Sequence, residues 1–277
     1  MIYIVLSIFS ATAILLLFRW MGHNGVNSRH AIMVNYAVAG LIGLLFFSHS
    51  EEVWNKSWFL PSMAMGVFFY IVFRFIAKTT QTNGVSAASI ATKMSVLIPV
   101  LTGIFLLDES ISWLKIIGIS LGLVAVFFAS KPNQNIENWK WLLLAFLGSG
   151  LIDAALKLFQ TWSVTSAEFP SYITVIFSFA FLAGLAHHFT LPDRKIEAKS
   201  YFGGIMLGLV NFASLIFILE AISLPNWESS VIFPINNVGI VALSSLSALI
   251  LFKENLDLKG WLSVILALCS ICLLSFG

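Results

Sequence analysis

Charge is what this chain has least of. Only 10% of its 277 residues are Asp, Glu, Lys or Arg, while 59% are hydrophobic. A soluble domain carries about 25% charged residues. So few charges cannot coat a water-soluble surface, and lipid must be the solvent for most of the chain. The net charge of +2 is too small to hold nucleic acid. Cysteine is nearly missing as well. Cys269 and Cys272 have the C-x-x-C spacing of redox or zinc chemistry, but they lie inside the last apolar run with no His nearby and read as small packing or lipid-facing residues. Nucleophile motifs such as G-x-S-x-G and metal motifs such as H-E-x-x-H do not occur. The histidines His23, His30, His49, His187 and His188 fall at segment ends or in loops without ligand spacing, as interface residues. No metal, cofactor or covalent chemistry is expected, and no cleavable leader, because the first apolar segment lacks a basic start.

What is present is apolar sequence in long pieces. A helix crossing a ~30 Å core needs about 20 apolar residues, and ten runs qualify: Ile2–Phe18, Ala31–Phe47, Trp58–Ala77, Val85–Leu107, Trp113–Ala129, Trp139–Phe159, Tyr172–Phe189, Tyr201–Ala221, Glu228–Phe252 and Leu258–Phe276. They are too long for barrel strands and lack their alternation, so the expected class is all-α, with ten transmembrane helices. Turn formers separate them, for example Thr82-Asn83-Gly84 and Leu191-Pro192-Asp193. Tryptophans gather at segment starts (Trp58, Trp113, Trp139, Trp227), as an aromatic belt requires. Gly118-x-x-x-Gly122 and Gly204-x-x-x-Gly208 are spacings that let helices approach closely.

The chain repeats itself. Residues 92–118 read TKMSVLIPVLTGIFLLDESISWLKIIG, and ALILFKENLDLKGWLSVI follows the same plan near the other end, with Glu254 standing where Glu109 stood. Both glutamates close one apolar segment and open the next, as turn residues. The linker Ser130–Asn138 divides the chain into 1–130 and 139–277, five helices each. An odd number makes the second half enter the membrane from the opposite side, so the repeats are inverted, a plan typical of secondary transporters that bind at the midplane between halves. Loops 1–2, 3–4, 5–6, 7–8 and 9–10 hold ten basic residues and the remaining loops two, Lys56 and Lys115. The positive-inside rule puts the ten in the cytoplasm and both termini outside.

An ionisable residue at a helix centre costs about 2.5–3.5 kcal/mol on insertion scales, so it persists only where it faces a partner or a wet cavity. Arg74, Lys93, Asp153, Lys157 and Glu220 are such residues. Lys93 lies eight residues into its run, and Asn236, Asn237 and Asn211 sit at similar depth. Lys93 precedes Glu109 by 16 residues and Asn237 precedes Glu254 by 17, so inverted halves bring the two together. Pro99 and Pro234 each free a backbone carbonyl on these two helices. The group forms either a polar pocket for a small ligand or, in the alternative, a structural ion pair with amides tying helices. Asp153 and Lys157, four apart, either neutralise each other or respond to protons and substrate. Glu220 and Lys157 sit toward the non-cytoplasmic side as a possible gate. Arg74 is either a pocket residue or, like Lys78, a snorkelling one.

With the proline-containing run, Leu107-Asp108-Glu109, Trp113 and Gly118 in view, and the weaker copy Lys253-Glu254 with Gly260 and Ser263, the chain resembles the ten-helix EamA-type members of the drug/metabolite transporter superfamily. Three features depart from that pattern. Ser263 and Ser244 stand where the first copy has Gly118 and Pro99. Asp108 and Lys253 replace the glycine that often precedes the glutamate. The relatives are drawn with both termini in the cytoplasm, opposite to the basic-residue count. The resemblance implies alternating-access movement of small metabolites across a cytoplasmic membrane and says little of the substrate; Lys93 points to an amino acid or an organic anion, with export as one direction. Lys93 would anchor an anionic group, Asn211, Asn236 and Asn237 would hydrogen-bond the rest, and Asp153 or Glu220 would couple transport to protons. The rivals are a non-transporting scaffold or receptor subunit, which needs no matching halves, and an intramembrane lipid-modifying enzyme, which needs clustered carboxylates or histidines.

Overall fold

The computed structural model describes residues 2–45, 53–106, 112–129, 136–165, 167–190, 195–222 and 229–276, with backbone alone at 136, 137, 160, 161, 219, 222, 229–231, 233 and 234. Within these residues the chain is helical, with no strand. The helices are α1 (Ile2–His23), α2 (Ser28–Leu45), α3 (Phe59–Asn83), α4 (Val85–Met94), α5 (Leu97–Leu106), α6 (Trp113–Ala129), α7 (Ile136–Trp162), α8 (Phe169–Thr190), α9 (Ala198–Ile222), α10 (Ser229–Phe252) and α11 (Leu258–Phe276). Nine spans, counting Val85–Leu106 as one, are long and apolar enough to cross a membrane, and α6 is a shorter tenth. The ten expected runs are all there, with α7 starting earlier than expected. The Asp108-Glu109 turn, Leu191-Pro192-Asp193 and Trp227 lie outside the described residues.

The helices pack in a pattern with an internal two-fold. α1 packs on α9 and α10, and the corresponding first helix of the second half, α7, packs on α3 and on α4 and α5. The pair α2–α9 matches α8–α3 in the same way, while α2–α8, α4–α10 and α6–α11 are each self-matching. Each half therefore buries its apolar faces on the other, and neither forms a separate bundle.

Glycines set the close approaches. A Cβ on Gly204 or Gly208 would meet the Ala31 or Asn35 carbonyl of α2 at 2.7 or 2.8 Å, and one on Gly122 would meet Ser270 Oγ of α11 at 2.8 Å. Ser270 Oγ in turn donates to the Gly118 carbonyl at 2.7 Å. Both small-residue spacings thus mark helix contacts. Trp113 and Trp139 are exposed as a belt requires, but Trp58 is buried, edge-on to Tyr172 at 5.7 Å. It is a core residue because the start of α3 is covered by α8.

The two-fold is broken at the ends. At the end bearing the basic loops, here the basic end, α1 packs on α3 and α4. The equivalent pairs at the opposite end, α7 with α9 and with α10, are not closely packed among the described residues, and α9 touches α10 only thinly.

Candidate functional site

The fourth span is broken in its middle. α4 ends at Met94, and α5 starts at Leu97. Pro99 has no N–H to offer, which leaves the Ser95 carbonyl without its helical donor. The Ile98 N–H takes it up at 2.9 Å, one residue short of helical spacing, while Val96 N–H reaches Lys93 O only at 3.4 Å. The break thus lies eight to eleven residues into the span, about 12–17 Å from the basic end at 1.5 Å per residue, near the midplane. Lys93 sits in the last turn of α4, where the negative end of the helix favours a cation. The start of α5 is a positive helix end at the same level.

Asp153 of α7 faces this break. Its carboxylate lies near Ser95, whose hydroxyl donates to the Thr92 carbonyl at 2.6 Å, and in the field of the Lys93 ammonium. The same face of α7 carries Gly150, whose missing Cβ makes room for Ile98, and Lys157, whose Nζ lies 3.5 Å from the Pro99 carbonyl. Asp153 is therefore turned toward α4 and α5, away from the lipid that its neighbour Leu151 meets at 52% exposure. It is nevertheless accessible to a water-sized molecule, and Lys93 is half-buried. The two side chains therefore do not form a bridge sealed within protein.

α10 brings the second half to the same place. Ser86 Oγ of α4 and Ser245 Oγ of α10 are 2.9 Å apart toward the basic end. The helices run antiparallel, Ile90 and Val241 join one cluster a turn further on, and one more turn sets Asn237 level with Lys93 and Met94. Asn237 is half-buried. Asn236 is buried with its Oδ1 unpartnered.

The other expected residues are elsewhere. Asn211 of α9 donates to Asn35 Oδ1 of α2 at 3.2 Å, and both are buried, so this amide ties two helices. Arg74 is not at the break. It lies over the Tyr70 ring, 6.0 Å from its centre, toward the basic end. Glu220 is exposed at the far end of α9, at the opposite end of the molecule. Cys269 and Cys272 are free and exposed, and among the described residues no three His, Cys, Asp or Glu gather as metal ligands.

The basic end is stitched shut by residues the sequence offered only as turn formers. Glu254 reaches from the α10–α11 connection to the start of α4, where both its oxygens accept the Val85 N–H at 3.0 and 3.2 Å. Its Oε1 also pairs with Arg19 Nε of α1 at 3.1 Å. Arg19 Nη1 donates to the Thr80 and Gln81 carbonyls of α3 at 3.3 and 2.8 Å. Gly84, at φ +92°, lies beneath the carboxylate, where a Cβ would come within 2.6 Å of Oε2. A vestibule of about 200 Å3 opens beside this junction, lined by Thr82, Asn83, Ser86 and Asn255 among others.

Comparison with known proteins agrees with this architecture. Residues 1–131 match the EamA-like transporter family, of the drug/metabolite transporter superfamily. An uncharacterized protein of Haemophilus influenzae is 27% identical over 235 residues, 83% of this chain and 78% of its own. A solved crystal structure is similar over 98% of this chain and 94% of its own at a TM-score of 0.61 and 11% identity, a likeness of fold alone.

Proposed function

We propose that this chain, whose residues 1–131 match a transporter family, is a membrane transporter that carries a small metabolite with a carboxylate, best an amino acid, past the break in its fourth span. The observation that carries the reading is that Lys93 of α4 and Asp153 of α7 lie within each other's electrostatic field beside the break in the fourth span. An ammonium and a carboxylate facing one space are the mirror of a zwitterion: Lys93 would take the ligand carboxylate and Asp153 its ammonium. The N-terminus of α5 adds favourable potential for the anionic group. Asn237 is placed to hydrogen-bond the remainder.

The asymmetry of the ends supports a carrier caught with one gate closed. Arg19 and Glu254 tie the basic end together, and among the described residues α7, α9 and α10 touch one another little at the other end. Rocking of the halves would exchange these two conditions. Asp153 is the residue best placed for proton coupling, because a ligand ammonium and a proton compete for it.

A thermal-shift screen of the purified protein against amino acids and organic acids, run on wild type and on Lys93→Met, tests the reading. A ligand that raises the wild-type Tm and leaves that of Lys93→Met unchanged is the expected result. A metabolite that stabilises both proteins equally would remove Lys93 from the site. Counterflow of the same ligand in liposomes separates a carrier from a mere binder.

A further inference from the structure

We infer that the surface where α2, α3 and α8 meet at the basic end is a docking site for the phosphate headgroup of an anionic phospholipid. Along the exposed face of α3, Val67 and Ile71 are apolar, then Arg74 and Lys78 follow at helical spacing. Arg74 lies over Tyr70, whose hydroxyl is 2.8 Å from Nδ1 of His187 near the end of α8. A Cβ on Gly184 would lie 3.1 Å from both Met33 and Tyr70, so a bare glycine lets the three helices close here. His30 of α2 and His188 of α8 meet edge-on at 5.1 Å. Arg29 is exposed in the first turn of α2, where the helix adds positive partial charge of its own.

Two guanidiniums thus bear on one spot, both within electrostatic range of Tyr70 and His187. The ion pairs among the described residues, Arg19–Glu254 and Lys56–Glu168, involve neither of them. The enclosure between Arg29, His30, Tyr70 and His187 has no room for a water-sized molecule, so a soluble metabolite cannot be held inside it. An anion can only rest on its rim, between Arg29 and Arg74. That rim lies level with the end of α8 and the start of α2, which is the depth of lipid headgroups, and Phe189 is exposed beside it to meet acyl chains. Basic pockets between helix ends suit anionic headgroups on these grounds. A lipid there would bridge α2 and α3 of the first half to α8 of the second.

Native mass spectrometry of the intact protein in detergent, titrated with phosphatidylglycerol, phosphatidylcholine or inorganic phosphate, tests this. Wild type should retain one phosphatidylglycerol, with phosphatidylcholine held about tenfold more weakly and inorganic phosphate unable to displace the lipid. Arg29→Gln, at an exposed position that leaves the fold intact, and Arg29→Gln with Arg74→Gln should lose that lipid stepwise, and Arg29→Lys should regain part of it. Equal retention by wild type and the double variant would overturn the inference. So would displacement by inorganic phosphate, which would make the rim a free-anion site.

Discussion

Lys93 is tolerated at the midplane because two things offset its desolvation: the C-terminal end of α4 and the Asp153 carboxylate. Replacing either charge alone leaves the other uncompensated. Lys93→Met should therefore abolish counterflow, and Asp153→Asn should leave ligand binding weakened and independent of pH, both read on protein still inserted in the membrane. Asn211 behaves differently. Its amide is engaged with Asn35, so Asn211→Ala should lower stability by about 1 kcal/mol, as for other interhelical hydrogen bonds, with little change in ligand affinity. At the opposite end, Glu168 accepts the Thr165 N–H at 2.9 Å and its hydroxyl at 2.8 Å, and pairs with Lys56 at 3.0 Å. The Thr165 backbone first, then Lys56 and the Thr165 hydroxyl, hold its carboxyl down at about 2. A depressed pKa stabilises the fold above the ordinary carboxylate range and loses that contribution as pH falls toward 2. Thermal unfolding in detergent should weaken over that window in wild type and less in Glu168→Gln.

At the scale of elements, the break between α4 and α5 was only half legible. Pro99 announced a freed carbonyl, but two short helices in place of a bend follow from how Ser95 O is re-satisfied by Ile98, a matter of local geometry. The other legible departure was Lys253 where a glycine often stands. It adopts φ +51° after α10, and the Glu254 N–H returns to Ala248 O at 3.1 Å. The helix thus ends on a left-handed residue that carries a Cβ. Lys253→Gly should accordingly stabilise the protein by up to about 1 kcal/mol, measured as a rise in Tm. Glu254 reads in sequence as a turn residue because its partners, Val85 and Arg19, are far away along the chain. Its loss should loosen the basic end: in a background with Cys269 and Cys272 replaced by Ala, a cysteine at Ala87 should react faster with a membrane-impermeant reagent from the basic side once Glu254→Ala is added. An unchanged rate would show that the stitch holds nothing closed.

For the whole molecule, composition and run length were enough to read a ten-span helical membrane protein, because apolar length is dictated by the bilayer and not by tertiary context. The expected repeat rests on Glu109, outside the described residues, and on Glu254, and the helix contacts have a two-fold of the same order. What sequence could not supply was which faces meet. Counting along the helices sets Lys93 and Asn237 level, whereas nothing in the sequence set Asp153 of α7 in the field of Lys93 on α4; in sequence Asp153 stands only beside Lys157 on its own helix. His30, His187 and His188 looked like scattered interface residues because only the packing of α2 on α8 collects them. Orientation remains a matter of charge. Arg19, Arg29, Lys78, Lys140, Lys195, Lys199, Lys253 and Lys259 all lie at one end, so a reporter fused after Gly277 should be active only outside the cytoplasm, against the arrangement drawn for the EamA-type transporters that the chain resembles.

The central claim is that a wet, charged chamber at the midplane opens away from the basic end. Asp153→Cys in the cysteine-free background, exposed to a charged impermeant thiol reagent from each side of the membrane in turn, tests it without knowledge of the ligand, because a thiolate forms only in water. Modification from the opposite end and protection from the basic end is the expected outcome. No reaction from either side would mean that residue 153 is sealed or faces lipid, and the chamber would not exist.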